Sequence, residues 1–148
     1  MFYSIGEMAK KLGVPTSTLR FYDKKGLLPF VERTSGGIRR FTNKDYEFLQ
    51  IVECLKKSGM SLKEINLFIQ MVMKGDETMD ERLELFKRRK KEVEKQILDL
   101  QRTLDTINYK CWYYETAKAA GTTTIHDNMT IEDLPEEFHD VKKWLAEN

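Results

Sequence analysis

Leu83, Phe86, Lys90, Val93, Ile97, Leu100, Leu104, Ile107, Cys111 and Tyr114 recur in alternating steps of three and four without a break. That spacing is a heptad seam in which Lys90 is the one charged member. A helix carrying it from about Thr78 to Lys118 is roughly 60 Å long at ~1.5 Å per residue. A stripe of that length cannot be buried on a small neighbouring domain. It calls for a second chain, most simply a two-fold homodimer. Leu83, Phe86, Val93, Ile97, Leu100, Leu104 and Ile107 are the expected dimerisation residues.

The chain has 148 residues. That suits one small globular head with a helical appendage, and it excludes two independent enzyme domains. Charged residues make up 33%, with three prolines, a balance that favours long solvated helices. The net charge of +1 hides an asymmetry. Residues 1–44 hold nine Lys/Arg against three Asp/Glu, giving +6; the remainder holds 16 against 21, giving −5. A basic head calls for an anionic partner. No run approaches the ~18 apolar residues of a membrane span, and the N-terminus lacks a basic-then-apolar leader, so a cytoplasmic protein without a membrane partner is expected. Cys54 and Cys111 are too few for a disulfide framework or a four-thiolate metal site.

Local signals divide the first 74 residues. Ser4 with Glu7 forms a capping box, and Ile5, Met8, Ala9 and Leu12 make one apolar stripe. Gly13 ends that helix, Val14-Pro15 turns the chain, and a second helix runs to about Lys25. Two short helices around a tight turn make a helix-turn-helix. In the second, Leu19 and Tyr22 face inward, whereas Thr16, Arg20 and Lys24 share a small, polar, basic face of the kind that enters a DNA groove. Two extended runs, Phe30–Arg33 and Ile38–Phe41, flank Thr34-Ser35-Gly36-Gly37 as a hairpin wing. Arg33, Arg39 and Arg40 crowd it, at a density that calls for phosphate nearby. Thr42 caps a third helix through Lys57, with Phe48, Ile51, Val52 and Leu55 as its stripe. Ser61 and Glu64 cap a fourth that buries Leu62, Ile65, Ile69 and Val72. Residues 75–120 then form the coiled-coil helix. Residues 121–148 form a tail ending in a short amphipathic helix with Phe138, Val141, Trp144 and Leu145 on one side, folded back onto the coil or the partner's head. The expected fold is mainly α: a winged helix-turn-helix with a small β wing, plus a long dimerising helix.

The run TLRFYDKKGLLPF followed by ERTSGGIRRF resembles the signature of the MerR family of bacterial regulators. The resemblance covers residues 3 to about 73, and the long helix matches that family's antiparallel dimerisation coil. It implies that Thr16, Ser17, Thr18, Arg20, Phe21, Tyr22 and Lys24 belong to a recognition helix. Arg33, Arg39 and Arg40 would be wing contacts, and Lys56 and Lys57, at the end of the third helix, would reach the backbone. Pro15 stands where relatives often cap with Ser or Thr, and Phe30 replaces a common proline. The implied function is a homodimeric transcription regulator that binds a near-palindromic operator in double-stranded promoter DNA. It distorts that DNA and so acts indirectly on RNA polymerase, in response to a small signal. The alternative is an architectural or recombination accessory protein using the same head without an effector.

For the signal, Cys111 has no neighbouring thiol and His126 and His139 are scattered, so neither a metal nor another cofactor is expected. Cys54 is the candidate sensor. The segment ECLKKSGMSLKEI resembles the part of the aldehyde- and nitrosative-stress branch that keeps a single reactive cysteine, and Lys57 favours a thiolate while Glu53 opposes it. Small-hydrophobe packing beside Ile51 is the other reading. Trp112, Tyr113 and Tyr114 are either coil-end packing, with Trp144 nearby, or a pocket for a planar or cationic ligand. No nucleophile-base pair, phosphate loop or apolar carboxylate pair points to an enzyme.

Overall fold

A computed structural model describes residues 1–148. Six helices and one two-stranded sheet follow in the order α1 (Ile5–Leu12), α2 (Thr16–Lys24), β1 (Glu32–Arg33), β2 (Arg39–Arg40), α3 (Asn43–Lys57), α4 (Leu62–Lys74), α5 (Met79–Ala120) and α6 (His139–Glu147). Single 3-10 turns precede α5 and interrupt the tail. The chain forms two compact units, Met1–Glu92 and Val93–Asn148, both of which include part of α5. Leu85 of α5 packs in the core of the first unit.

Local chemistry sets the head's elements. Capping boxes open α1 (Ser4 with Glu7), α3 (Thr42 with Asp45) and α4 (Ser61 with Glu64), each satisfying backbone N–H groups that a helix start leaves free. Pro15 precedes α2 without a side-chain cap; proline's fixed φ suits a helix start. Gly13 closes α1 at φ 71°, a left-handed value that glycine adopts without strain. The wing is shorter than the sequence suggests. It pairs only Glu32 with Arg40 and Arg33 with Arg39, while Phe41 bridges back to Tyr3.

The head's core gathers Met8, Leu19, Tyr22, Leu28, Phe41, Leu49, Val52, Leu55, Ile65, Phe68 and Ile69. An aromatic ladder ties its elements together. Phe30 meets Phe48 edge-on at 4.5 Å, Phe48 stacks on Phe68 at 5.9 Å, and Phe68 meets Phe86 edge-on at 5.4 Å. Offset and edge contacts of this kind add about 0.5–1.5 kcal/mol beyond area burial. Phe30 thus replaces a turn-forming proline with a packing anchor. Phe86, expected wholly on the seam, shares its ring with the head. In α3 the inward stripe is Asp45, Leu49, Val52 and Leu55, and Ile51 is exposed. In α4 Phe68 joins Ile65 and Ile69, while Leu62 and Val72 are only partly buried.

In the second unit, the tail folds against the last turns of α5. Tyr109, Leu134, Phe138 and Val141 form its core, with Trp112, Tyr113 and Met129 packed around them. The tail covers the α5 face that carries Tyr109, Trp112, Tyr113 and Thr116, on the side of the helix away from the seam positions Leu104, Ile107, Cys111 and Tyr114. Leu100, Leu104, Ile107 and Tyr114 stay exposed.

Candidate nucleic-acid interface

On α2, Ser17, Arg20, Phe21 and Lys24 are exposed, and Thr16 and Thr18 are half-buried. Lys25 Nζ lies 5.7 Å from the centre of the Phe21 ring. Tyr22 is 2% exposed. Its hydroxyl donates to Glu53 Oε1 at 2.9 Å and accepts from Lys56 Nζ at 3.3 Å. Burial first, and then the Glu53 carboxylate, push this phenol well above the ordinary tyrosine range. The ring faces inward and holds α2 against α3, while its hydroxyl edge borders the surface. Ser17, Thr18, Phe21, Tyr22, Lys56 and Leu62 line a shallow concavity of about 260 Å³ there. Two hydroxyls and an ammonium at its wall can engage a phosphate oxygen.

The wing arginines do not need phosphate to offset their mutual repulsion, as the sequence suggested. Asp23, at the end of α2, accepts from Arg39 Nε at 2.9 Å and from Arg33 at 3.2 Å. Arg39 also donates to the Val31 carbonyl and Arg33 to that of Gly37, both at 2.6 Å. Arg40 pairs with Glu32 at 3.2 Å and lies 4.2 Å from the centre of the Phe2 ring. Arg39 is thus a structural pin between helix and wing, with a side chain only 15% exposed. Asp23, Glu53 and the aromatic ladder are the participants that sequence reasoning missed. Their partners lie 16, 31 and 18–20 residues away, beyond the reach of helical or strand periodicity.

Elsewhere, Lys57 is exposed at the end of α3, and Cys54 one turn before it is an exposed free thiol. Packing of Cys54 beside a buried Ile51 is therefore corrected within the chain, since both lie on the surface. Cys111 is also exposed, on the seam. No group of three or more His, Cys, Asp or Glu side chains comes together to hold a metal. Trp112 and Tyr113 pack against the tail. Trp112 contacts His126 at 5.3 Å and Phe138 at 5.7 Å, and Tyr113 stacks on His126 at 4.1 Å. Tyr114 faces outward, and Trp144 lies under Arg102, 4.9 Å from its guanidinium carbon.

The profile of the MerR HTH family of regulatory proteins matches residues 3–72, and that of the MerR DNA-binding region matches residues 46–109. An uncharacterized HTH-type transcriptional regulator of Haemophilus influenzae is 48% identical over 92% of this chain and 98% of its own. The chain belongs to the MerR family. Among solved structures, HiNmlR, described as a MerR family regulator lacking the sensor domain, bound to promoter DNA, superposes with a TM-score of 0.79. It is 45% identical over 91% of this chain and all of its own. The regulator ZntR of Escherichia coli K12 is 32% identical over 74% of this chain and 80% of its own. This MerR-family chain is accordingly a DNA-binding transcription regulator and not an enzyme. None of its helices is long and apolar enough to cross a membrane.

Proposed function

We propose that two copies of this chain, joined through the seam of α5, bind a near-palindromic operator in the cytoplasm and distort it so that RNA polymerase reads the promoter differently. The observation that carries this reading is the seam itself. Ile97 is 60% and Leu100 69% exposed in the single chain, at the centre of a 42-residue helix about 63 Å long. An apolar stripe of that length in water is stable when a second stripe covers it. In each copy Arg20, Phe21 and Lys24 of α2 face the major groove, the Ser17–Thr18–Lys56 concavity takes a backbone phosphate, and Lys57 adds charge at its flank. Two-fold symmetry of the protein then demands two-fold symmetry of the site, with half-sites a helical turn or its multiple apart. The test is sedimentation equilibrium of the chain with duplexes carrying one or two half-sites. Two copies per full site, with the half-site bound far more weakly, support the dimer. One copy per site with equal affinity ends it.

A signal-responsive regulator is favoured over a purely architectural one by the exposed thiol of Cys54, one helical turn from Lys57 on the element that walls the DNA-facing concavity. Modification there changes charge or bulk beside the interface. HiNmlR is described as lacking a sensor domain, and this chain aligns with all of it, so the responsive group is sought within the residues the two share. Promoter activity with wild type and Cys54→Ser, each with and without a reactive aldehyde, tests this. Loss of the response only in the variant is expected; an undiminished response excludes Cys54.

A further inference from the structure

The wing's cations each have a carboxylate partner within the chain, although the Arg33 and Arg40 side chains keep 48% and 43% exposure. Arg33 and Arg39 share Asp23, and Arg40 faces Glu32, so three arginines and two carboxylates leave a local charge of only +1. The wing also projects an apolar side chain: Ile38 is 70% exposed at the hairpin tip. It is also held rigidly there. Its backbone N–H donates to Thr34 Oγ1 at 3.2 Å, its carbonyl accepts from the Thr34 N–H at 2.8 Å, and the Arg33 guanidinium clamps the Gly37 carbonyl beside it at 2.6 Å. Gly37 turns at φ 81°, which directs the chain into that position without strain. A rigid, exposed isoleucine at the end of a polar hairpin costs solvation unless something covers it.

The wing is continuous with the recognition helix, because Asp23 at the end of α2 holds both Arg33 and Arg39. With α2 in a major groove, a hairpin fixed to its C-terminal turn lies over the sugar-phosphate ridge that borders the groove. We propose that Ile38 is a further positioning residue for operator binding, packing on the apolar deoxyribose edges of that ridge. It makes the wing a shape-sensing contact and not a phosphate clamp. This rests on the DNA-binding reading and adds to it a contact that carries no charge. Sugar edges follow groove width and DNA bending, so such a contact favours duplexes that are easily deformed.

The charge-free nature of the contact makes it testable. Each phosphate neutralised by a protein cation contributes about 0.9 to the slope of log affinity against log salt; an isoleucine contributes nothing to it. A duplex selected by the wild-type protein from a random-sequence pool serves as the probe, measured at several salt concentrations. Ile38→Ala removes three apolar carbons and is expected to weaken binding about tenfold with the salt slope unchanged. Ile38→Val, one carbon smaller, falls between. Lys57→Ala, which removes the exposed flanking charge, serves as the comparison and lowers the slope. Both Ile38 variants alter an exposed side chain, and unchanged melting curves show that the head is intact. Affinity of Ile38→Ala within twofold of wild type at every salt overturns the proposal, as does a reduced slope in that variant. Replacing thymine by uracil in the probe distinguishes a major-groove methyl contact: if that abolishes the difference between wild type and Ile38→Ala, the sugar contact is excluded. Should wild type select no duplex at all, the DNA-binding reading fails first.

Discussion

The Nε of Arg39 donates to Oδ1 of Asp23 across 2.9 Å, tying the second wing strand to the last turn of the recognition helix. An acidic residue on the DNA-facing side of a basic head opposes binding by its charge alone. Here it fixes the relative position of two elements that the proposed complex brings onto one duplex. Both side chains are shielded enough for the pair to matter, at 15% and 25% exposure.

Asp23→Ala removes the charge and the acceptor together, and the two losses act on binding in opposite directions. Removing a negative charge strengthens phosphate attraction if electrostatics decides. If the pin decides, operator affinity falls several-fold, and the unfolding free energy drops by about 1 kcal/mol as Arg33 and Arg39 lose their shared acceptor. Titration of the duplex alongside urea unfolding reads both quantities. Tighter binding by the variant would show that the pair does not position the wing.

Tyr22→Phe removes the hydroxyl between Glu53 and Lys56. The expected loss at neutral pH is about 1.5–3 kcal/mol, the range for a hydrogen bond to a charged group left without its partner. The pH dependence has a definite sign. Folding raises this phenol's pKa above its unfolded value near 10, so the folded state retains a proton that the unfolded chain releases. Its contribution is intact below pH ~10 and shrinks as pH rises beyond that value. Thermal melts from pH 8 to 11 should show wild type losing stability more steeply than the variant above pH ~10, and parallel curves would refute the assignment.

What could be read from sequence was whatever is encoded over short separations. The Ser4–Glu7 and Ser61–Glu64 boxes sit at i, i+3, where one helical turn brings the groups together whatever surrounds them. The choice between Ile51 and Leu49 as the inward residue of α3 was not legible. Both fit a 3.6-residue period, and the packing of α4 against α3 decides which face is covered. The Arg33–Asp23–Arg39 cluster was hidden for a similar reason. A run of arginines on a hairpin reads as a phosphate site until the fold brings a carboxylate from another element into it. The aromatic tail was ambiguous because rings at helical spacing suit a ligand or one another. In the fold, Trp112 meets Phe138 and Tyr113 stacks on His126, contacts with residues 13 to 26 positions away that periodicity does not reach.

Tyr109→Ala should open that tail while sparing the head. Tyr109 is buried against Trp112, Tyr113 and Phe138, and truncating a buried aromatic costs roughly 3–5 kcal/mol, more than so small a unit can lose. Both tryptophans, Trp112 and Trp144, lie in the second unit, so their fluorescence reports it alone. Red-shifted emission and rapid proteolysis within residues 121–138 are expected, with the head's far-ultraviolet melting unchanged. A wild-type emission spectrum would mean that the tail is held by something other than this core.

The seam makes a demand of another kind, because its residues have no partner in the chain that carries them. Ile97→Glu combined with Leu104→Glu places two charges where the proposed dimer excludes water, while disturbing no buried residue of either unit, since both positions are exposed. Helix propensity is preserved, because glutamate is a good helix former, so α5 itself should persist. The variant is expected to sediment as a monomer with a head that melts as in wild type. Without the second head its affinity for a full operator should fall by about 100-fold or more, to that of a half-site, because the second contact is no longer intramolecular. A variant that stays dimeric would move the interface off the seam. A monomeric variant that keeps full affinity would leave the dimer in place but remove its role in operator recognition.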